Sequence, residues 1–160
     1  MWLSRFFGPE VPPVVEPATL RDAPALAAIH AASFHRGWTE GEFDDMIRES
    51  NTVVHRLRLR NTVIGFSVSR IAADEAEILT IAVSSGYRGR GYSHALLHTH
   101  MGYLVGRGVQ TLFLEVEENN EPARKLYERF GFIIVGRRER YYREAGGQEL
   151  NALVMRRDLS

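Results

Sequence analysis

The chain has 160 residues, of which 44% are hydrophobic and 25% charged; 20 Lys plus Arg balance 20 Asp plus Glu, and there is no cysteine. A chain of this size buries about 68–70% of its unfolded surface, so it needs no disulfide or structural metal to fold. The missing thiol excludes Cys-ligated zinc and cysteine nucleophiles, and zero formal charge argues against a nucleic-acid binder that works through bulk electrostatics.

Residues 1–12 form an N-terminal arm, Met-Trp-Leu-Ser-Arg-Phe-Phe-Gly-Pro-Glu-Val-Pro. Ser4, Arg5 and Gly8 interrupt any apolar run of the ~7–15 residues a signal peptide needs, and nothing approaches the ~18 apolar residues of a membrane span. The expectation is a cytoplasmic protein whose aromatic arm packs on its own domain or on a partner. The Pro-rich stretch Pro9–Pro17 leads into a single domain, residues 13–160.

Val14-Val15-Glu16 reads as a short strand. Asp22 can cap a helix with Pro24 in its first turn and Leu26 and Ile29 on one face. Thr39-Glu40-Gly41-Glu42 has capping-box spacing and opens a helix through Phe43, Met46 and Ile47. The period then becomes two: Val53, His55, Leu57 and Leu59 alternate with Val54, Arg56, Arg58 and Arg60, and Ile64, Phe66 and Val68 repeat the pattern. Glu77–Val83 is apolar on both faces, as in a central strand. A glycine-rich loop and a helix (92–105) follow, then a strand (111–117) and a helix (122–130) stopped by Gly131. Two last strands (132–138 and 150–155) flank a Gly146-Gly147 turn. The fold class is α+β, a mixed sheet covered by helices.

The loop Arg88-Gly89-Arg90-Gly91-Tyr92-Ser93 lies between a strand and a helix. Glycines admit close backbone approach, N–H groups at the helix start point outward, and the helix dipole favours an anion. Such a loop is either a phosphate cradle or a tight turn with solvated arginines. No Gly-Lys-Ser/Thr follows, which excludes a P-loop, and His94 stands where a dinucleotide fingerprint needs Gly or Ala.

Read from Arg88, the loop fits R/Q-x-x-G-x-G/A, with Ser93 as a third small position. In this it resembles the pyrophosphate-binding motif of the GNAT superfamily of N-acetyltransferases. The segment from Leu112 to Phe132 (L-x-L-E-V-x-x-x-N-x-x-A-x-x-L-Y-x-x-x-G-F), with Ile81-Ala82-Val83 and the late Arg138-x-Arg140-Tyr141-Tyr142, is similar to the ribosomal-protein-alanine N-acetyltransferase branch. The resemblance runs from about Pro17 to Leu159. It implies a mixed, mostly antiparallel sheet flanked by helices, acetyl-CoA as co-substrate, and a protein or peptide N-terminus, such as that of a ribosomal protein, as acceptor. It further implies main-chain contacts to the cofactor from Ile81, Ala82 and Val83 and a pyrophosphate site over Arg88, Gly89, Arg90, Gly91, Tyr92, Ser93 and His94. A cofactor contact at Asn120 and a substrate groove bordered by Trp38 and Tyr141 complete the implied site.

The chemistry points to the same residues. Direct transfer of an acyl group to an amine needs a base for the amine and an acid for the leaving thiolate. An α-amine loses its proton at about 7.7–8.0, against about 10.4 for lysine, so a carboxylate such as Glu115 suffices as base, directly or through water. A tyrosine at about 10 faces a thiol at about 8.5 across only about 2 kcal/mol, so Tyr127 can serve as the acid, and the resemblance implies these same roles for Glu115 and Tyr127. Without cysteine, attack within a ternary complex is the natural route. Packing accounts for Tyr127 and helix capping for Asn120 just as readily.

Glu115, Glu117, Glu118 and Glu121 form an acidic cluster, either an attractor for a cationic N-terminus or a solvated strand end. Arg137, Arg138, Arg140 and Arg143 form a basic run, read as solvated by default, or as meeting the co-substrate's ribose phosphate or a ribosomal surface. His94 and His98, with His100 nearby, read as a solvated helix face with no metal. The expected partners include no nucleic acid and no membrane, and the expected state is a monomer or weak dimer. The alternatives are a small-amine or lysine acetyltransferase of the same fold, or a non-catalytic acyl-CoA-binding module.

Overall fold

The computed structural model describes residues 11–140 and 150–159; the arm up to residue 10, the Gly146-Gly147 turn and Tyr141 lie outside them. The period-two segments become antiparallel strands β2 (Thr52–Leu59), β3 (Thr62–Ala72) and β4 (Glu75–Val83), with β1 (Val14–Pro17) added along β2. Beyond β4 the chain adds β5 (Thr111–Glu117), β6 (Ile133–Arg140) and β7 (Leu150–Asp158). One seven-stranded sheet results, in the order β1-β2-β3-β4-β5-β7-β6. Every pairing is antiparallel except β4 with β5. The mixed, mostly antiparallel sheet expected from the sequence is present, and the strand that is apolar on both faces lies at its centre.

Four helices cover the sheet: α1 (Ala23–Ser33) and α2 (Glu40–Arg48) on one face, α3 (Tyr92–Gly106) and α4 (Glu121–Arg129) on the other. Under α1 and α2, Leu26, Phe43, Phe66 and Val68 are fully buried beside Val54 and Ala82. Under α3 and α4, Leu97, Leu104, Leu112, Leu114 and Tyr127 pack with Ile78 and Val116. The alternation in β2 therefore sorts residues between two covered faces, and Thr52 to His55 are buried without a break. At about 1.5–3 kcal/mol per large apolar side chain, these layers supply most of the drive to fold.

The capping box at α2 forms as its spacing dictates: Thr39 Oγ1 accepts from the Glu42 N–H at 3.1 Å, and Glu42 Oε2 accepts from the Thr39 N–H at 3.2 Å. Asp22 departs from expectation. It occupies the N-cap position of α1, but its carboxylate makes no cap bond to that helix. Asp22 is buried, and it accepts instead from the Thr19 N–H at 2.7 Å and from Arg56 Nη1 at 2.8 Å. Arg56 also donates to Glu16, which Arg58 joins, so β1, β2 and the approach to α1 are tied by ions.

Candidate active site

β4 and β5 pair in parallel only from Glu75–Ile78 to Thr111–Leu114. At that point β4 carries one extra residue: Ser69 of β3 faces Ile78 and Val68 faces Thr80, which leaves Leu79 as a bulge. A bulge bends its strand and increases its twist. Beyond it, residues 79–83 stay with β3 and residues 115–117 stay with β7, so the two central strands diverge into a wedge. Ile81, Ala82 and Val83 lie on one wall of this wedge, outside any ladder with β5, and the edge there offers main-chain groups to an extended ligand, with the Val83 carbonyl already accepting from Arg88.

A single 3-10 turn (Ser85–Tyr87) leads from β4 to the glycine loop. Gly89 (φ +77°) and Gly91 (φ +81°) both take the left-handed conformation, which a side chain at either position would strain. Gly91 is the N-cap residue of α3, and no side chain caps that end. The N–H groups of Tyr92, Ser93 and His94 thus begin a 15-residue helix without a side-chain cap among the described residues. Arg90 is exposed, its guanidinium 5.9 Å above the Tyr87 ring. The Arg88 side chain has another task. Its Nε donates to Val83 O at 3.0 Å and its Nη2 to Ser33 Oγ at 3.3 Å, which braces the loop against the ends of β4 and α1.

On the other wall, Glu115 is the first residue of β5 past the parallel ladder. Its side chain is 19% exposed and its Oε1 accepts from Arg138 Nη1 at 2.9 Å. It points away from Leu114 and Val116, so it stands on the α1–α2 face. Tyr127 stands on the opposite face, buried against Phe132, with ring centroids 5.8 Å apart. Burial holds its phenol well above the ordinary value of about 10. That widens the gap to a thiol beyond the sequence argument, although a thiolate leaving into the same apolar surroundings is raised by the same effect. Asn120 Oδ1 accepts from the Ala123 N–H at 3.3 Å and caps α4, so its local role is realised. Trp38, half-buried, stacks on His30 with centroids 4.5 Å apart, and the main-chain N–H of Trp38 donates to His30 Nδ1 at 3.0 Å.

The structure refines the reading of three groups of polar side chains. The acidic cluster is not an open sink for cations: Glu115 binds Arg138, Glu118 binds Arg137 at 2.8 Å, and Glu121 binds Lys125 at 3.1 Å. The basic run is correspondingly engaged at Arg137 and Arg138. Of the three helical histidines, His94 and His98 are exposed but His100, two positions on, is fully buried. Among the described residues no group of three potential ligands could hold a metal.

Sequence reasoning missed two atoms. Thr80 Oγ1 and Arg124 Nε are buried and have no hydrogen-bond partner among the described residues. Arg124 is otherwise fixed, its Nη1 donating to Glu118 O at 3.1 Å. No periodicity marks a threonine in a central strand or an arginine in a helix as unusual; only the register and the burial do.

Diverging parallel strands beside a helix start without a side-chain cap form a two-walled cleft with an anion-binding end. Residues 23–132 match the model of the Acetyltransferase (GNAT) family, and the chain belongs to that family. A [ribosomal protein bS18]-alanine N-acetyltransferase of Haemophilus influenzae is 43% identical over 95 residues, covering 59% of this chain and 64% of that one. The enzyme of that name from Escherichia coli K12 is 33% identical over 134 residues, covering 84% and 89%. The crystal structure of the ribosomal-protein-S18-alanine N-acetyltransferase from Escherichia coli superposes with a TM-score of 0.85 at 30% identity, over 93% of this chain and 95% of that one.

Enzymes of this family use acetyl-CoA, and the residues present here fit it. The first-turn N–H groups behind Gly91, with Arg90 beside them, suit a pyrophosphate, and the open edge of β4 suits an amide-bearing arm. The orphaned Arg124 Nε adds a buried donor on α4.

Proposed function

We propose that this protein is an N-acetyltransferase that moves the acetyl group of acetyl-CoA to the N-terminal α-amine of a protein, a ribosomal protein of the bS18-alanine type. It acts in the cytoplasm as a monomer or weak dimer and uses no metal. The observation that carries the reading is the near full-length likeness to the Escherichia coli enzyme, combined with Glu115 and Tyr127 on opposite faces of one wedge.

When bound, the co-substrate supplies an activated thioester. Ile81, Ala82 and Val83 hold its amide-bearing arm through main-chain groups. Gly89, Arg90, Gly91, Tyr92, Ser93 and His94 hold the pyrophosphate, with Arg88 as the brace of that loop. Asn120 orders the start of α4 at the thioester end. Glu115, held by Arg138, takes the proton of the α-amine directly or through a water, and the amine attacks in a ternary complex. Tyr127 keeps its proton until thiolate charge develops. Trp38 and Tyr141 border the acceptor groove, and residues 13–160 form one domain behind the arm 1–12.

The test is the purified protein with acetyl-CoA and a short Ala-started peptide, followed by mass spectrometry. One acetyl group should appear on the α-amine, and none on an N-blocked peptide with an internal lysine or on polyamines. Glu115→Gln and Tyr127→Phe should each lower kcat by about 10²-fold or more while acetyl-CoA affinity stays within a few-fold. A protein that binds acetyl-CoA but acetylates nothing would be a binding module, and acetylated lysine or polyamine would place it elsewhere in the family.

A further inference from the structure

Thr80 is the first residue of β4 beyond the bulge, and it pairs with Val68 of β3. Cross-strand partners share a face, and Val68 belongs to the cluster under α1 and α2. Glu115 leaves β5 toward that same face. The Thr80 hydroxyl and the Glu115 carboxylate therefore project from the two walls of the wedge to one side of the sheet, Glu115 at the first position after the strands part and Thr80 just past the Leu79 bulge.

The residue is 7% exposed, and its neighbours on this face are apolar: Phe66 and Val68 on β3, Leu79 and Ala82 on β4. A hydroxyl buried among such groups without a partner costs about 1–3 kcal/mol. A hydrophobic residue of the same shape would avoid that cost, for valine differs from threonine only by a methyl in place of the hydroxyl. The feature makes sense if a partner arrives from outside the chain. A donor-bearing group entering between Thr80 and Glu115 would supply it, and on the reading given above that group is the acceptor's amine.

We infer that Thr80 is a further substrate-positioning residue: its Oγ1 accepts one N–H of the acceptor α-amine, while Glu115 faces the proton that must leave. A neutral amine has two hydrogens and one lone pair. With one hydrogen on Thr80 and the other directed to Glu115, the lone pair is left to turn toward the donor lying along β4. Thr80 moves no proton; it fixes the nitrogen's orientation.

This inference rests on the N-terminal acetyltransferase reading, and the wild-type assay separates the two. If wild-type protein does not acetylate the Ala-started peptide, the reading fails first. If it does, Thr80→Val and Thr80→Ser are compared with it for kcat, KM for peptide, acetyl-CoA affinity and urea stability. Thr80→Val should lose about tenfold in kcat/KM for peptide, the scale of one hydrogen bond in a buried site. Its acetyl-CoA affinity should stay within twofold, and its stability should equal or exceed that of wild type. Thr80→Ser, which restores the hydroxyl, should recover to within about threefold. A Thr80→Val enzyme within twofold of wild type in kcat/KM would overturn the inference. So would a loss falling on acetyl-CoA affinity, or a serine variant as slow as the valine one.

Discussion

Lowering the pH from 7.5 to 5 should cost this protein about 4 kcal/mol of folding stability through two buried histidines. His55 of β2 and His100 of α3 are 2% and 0% exposed, and their Nδ1 atoms lie 2.7 Å apart. His100 Nδ1 also lies 2.9 Å from Ser67 Oγ, and its Nε2 lies 2.6 Å from Ser69 Oγ. A contact between two ring nitrogens holds one proton. Two imidazolium rings would bring two N–H groups face to face, so the pair cannot charge twice without breaking. Burial pushes His55 down to about 4; burial and then repulsion from His55 push His100 down to about 3.

Folded values below the unfolded one of about 6.5 mean that the unfolded chain takes up protons first as the pH falls. The contribution is complete above pH 6.5 and is lost as the pH drops toward 4. At pH 5 each unfolded imidazole has gained about 1.5 pH units of protonation, or about 2 kcal/mol, which gives about 4 for the two. His30 adds in the same direction: burial lowers it, and its Nδ1 must stay unprotonated to accept from Trp38. Against a typical total of about 5–15 kcal/mol the effect is large. Urea titrations followed by circular dichroism at pH 7.5, 6.5, 5.5 and 5, at constant ionic strength, measure it. His100→Gln should lower stability at pH 7.5 but remove about half of the pH dependence. A wild-type loss below about 1 kcal/mol between pH 7.5 and 5 would refute the neutral-pair reasoning.

Two further variants probe the scaffold. Gly91→Ala should cost about 1–2 kcal/mol in urea unfolding, because residue 91 sits at φ +81°, and should weaken acetyl-CoA binding in calorimetry by distorting the start of α3. Asp22→Ala should cost about 1–3 kcal/mol in the same unfolding assay, since it leaves the Thr19 N–H without its acceptor and Arg56 with Glu16 alone.

Local signals in the sequence were legible wherever one stretch of chain decides the outcome. The Thr39 and Asn120 caps, the glycines at positive φ and the doubly apolar run of β4 each follow from residues within a few positions of one another. What escaped the sequence depends on residues far apart in it. Arg138 reaches Glu115 across β7, which lies between their strands, and the intervening positions on that face are Gly136, Ala152 and Val154. The small residues leave room for a long side chain to lie across, and no linear pattern announces that. The same holds for His55 and His100, 45 residues apart, and for Thr80, whose significance appears only once the bulge at Leu79 fixes which way it faces.

The short parallel ladder has a mechanical consequence. Among the described residues, four strands on one side and three on the other are joined by the short ladder of Glu75–Ile78 with Thr111–Leu114 and by the Asp74 carbonyl, which accepts from the Gln110 and Thr111 N–H groups just before it, with the core under α3 as backing. The sheet is thus two leaves on a short spine, free of each other along their upper edges. A molecule that bonds to both leaves acts as a clasp, and its binding free energy adds to the resistance of the whole sheet to opening. Stability and occupancy are therefore linked in this protein at the very place where its chemistry is proposed to occur.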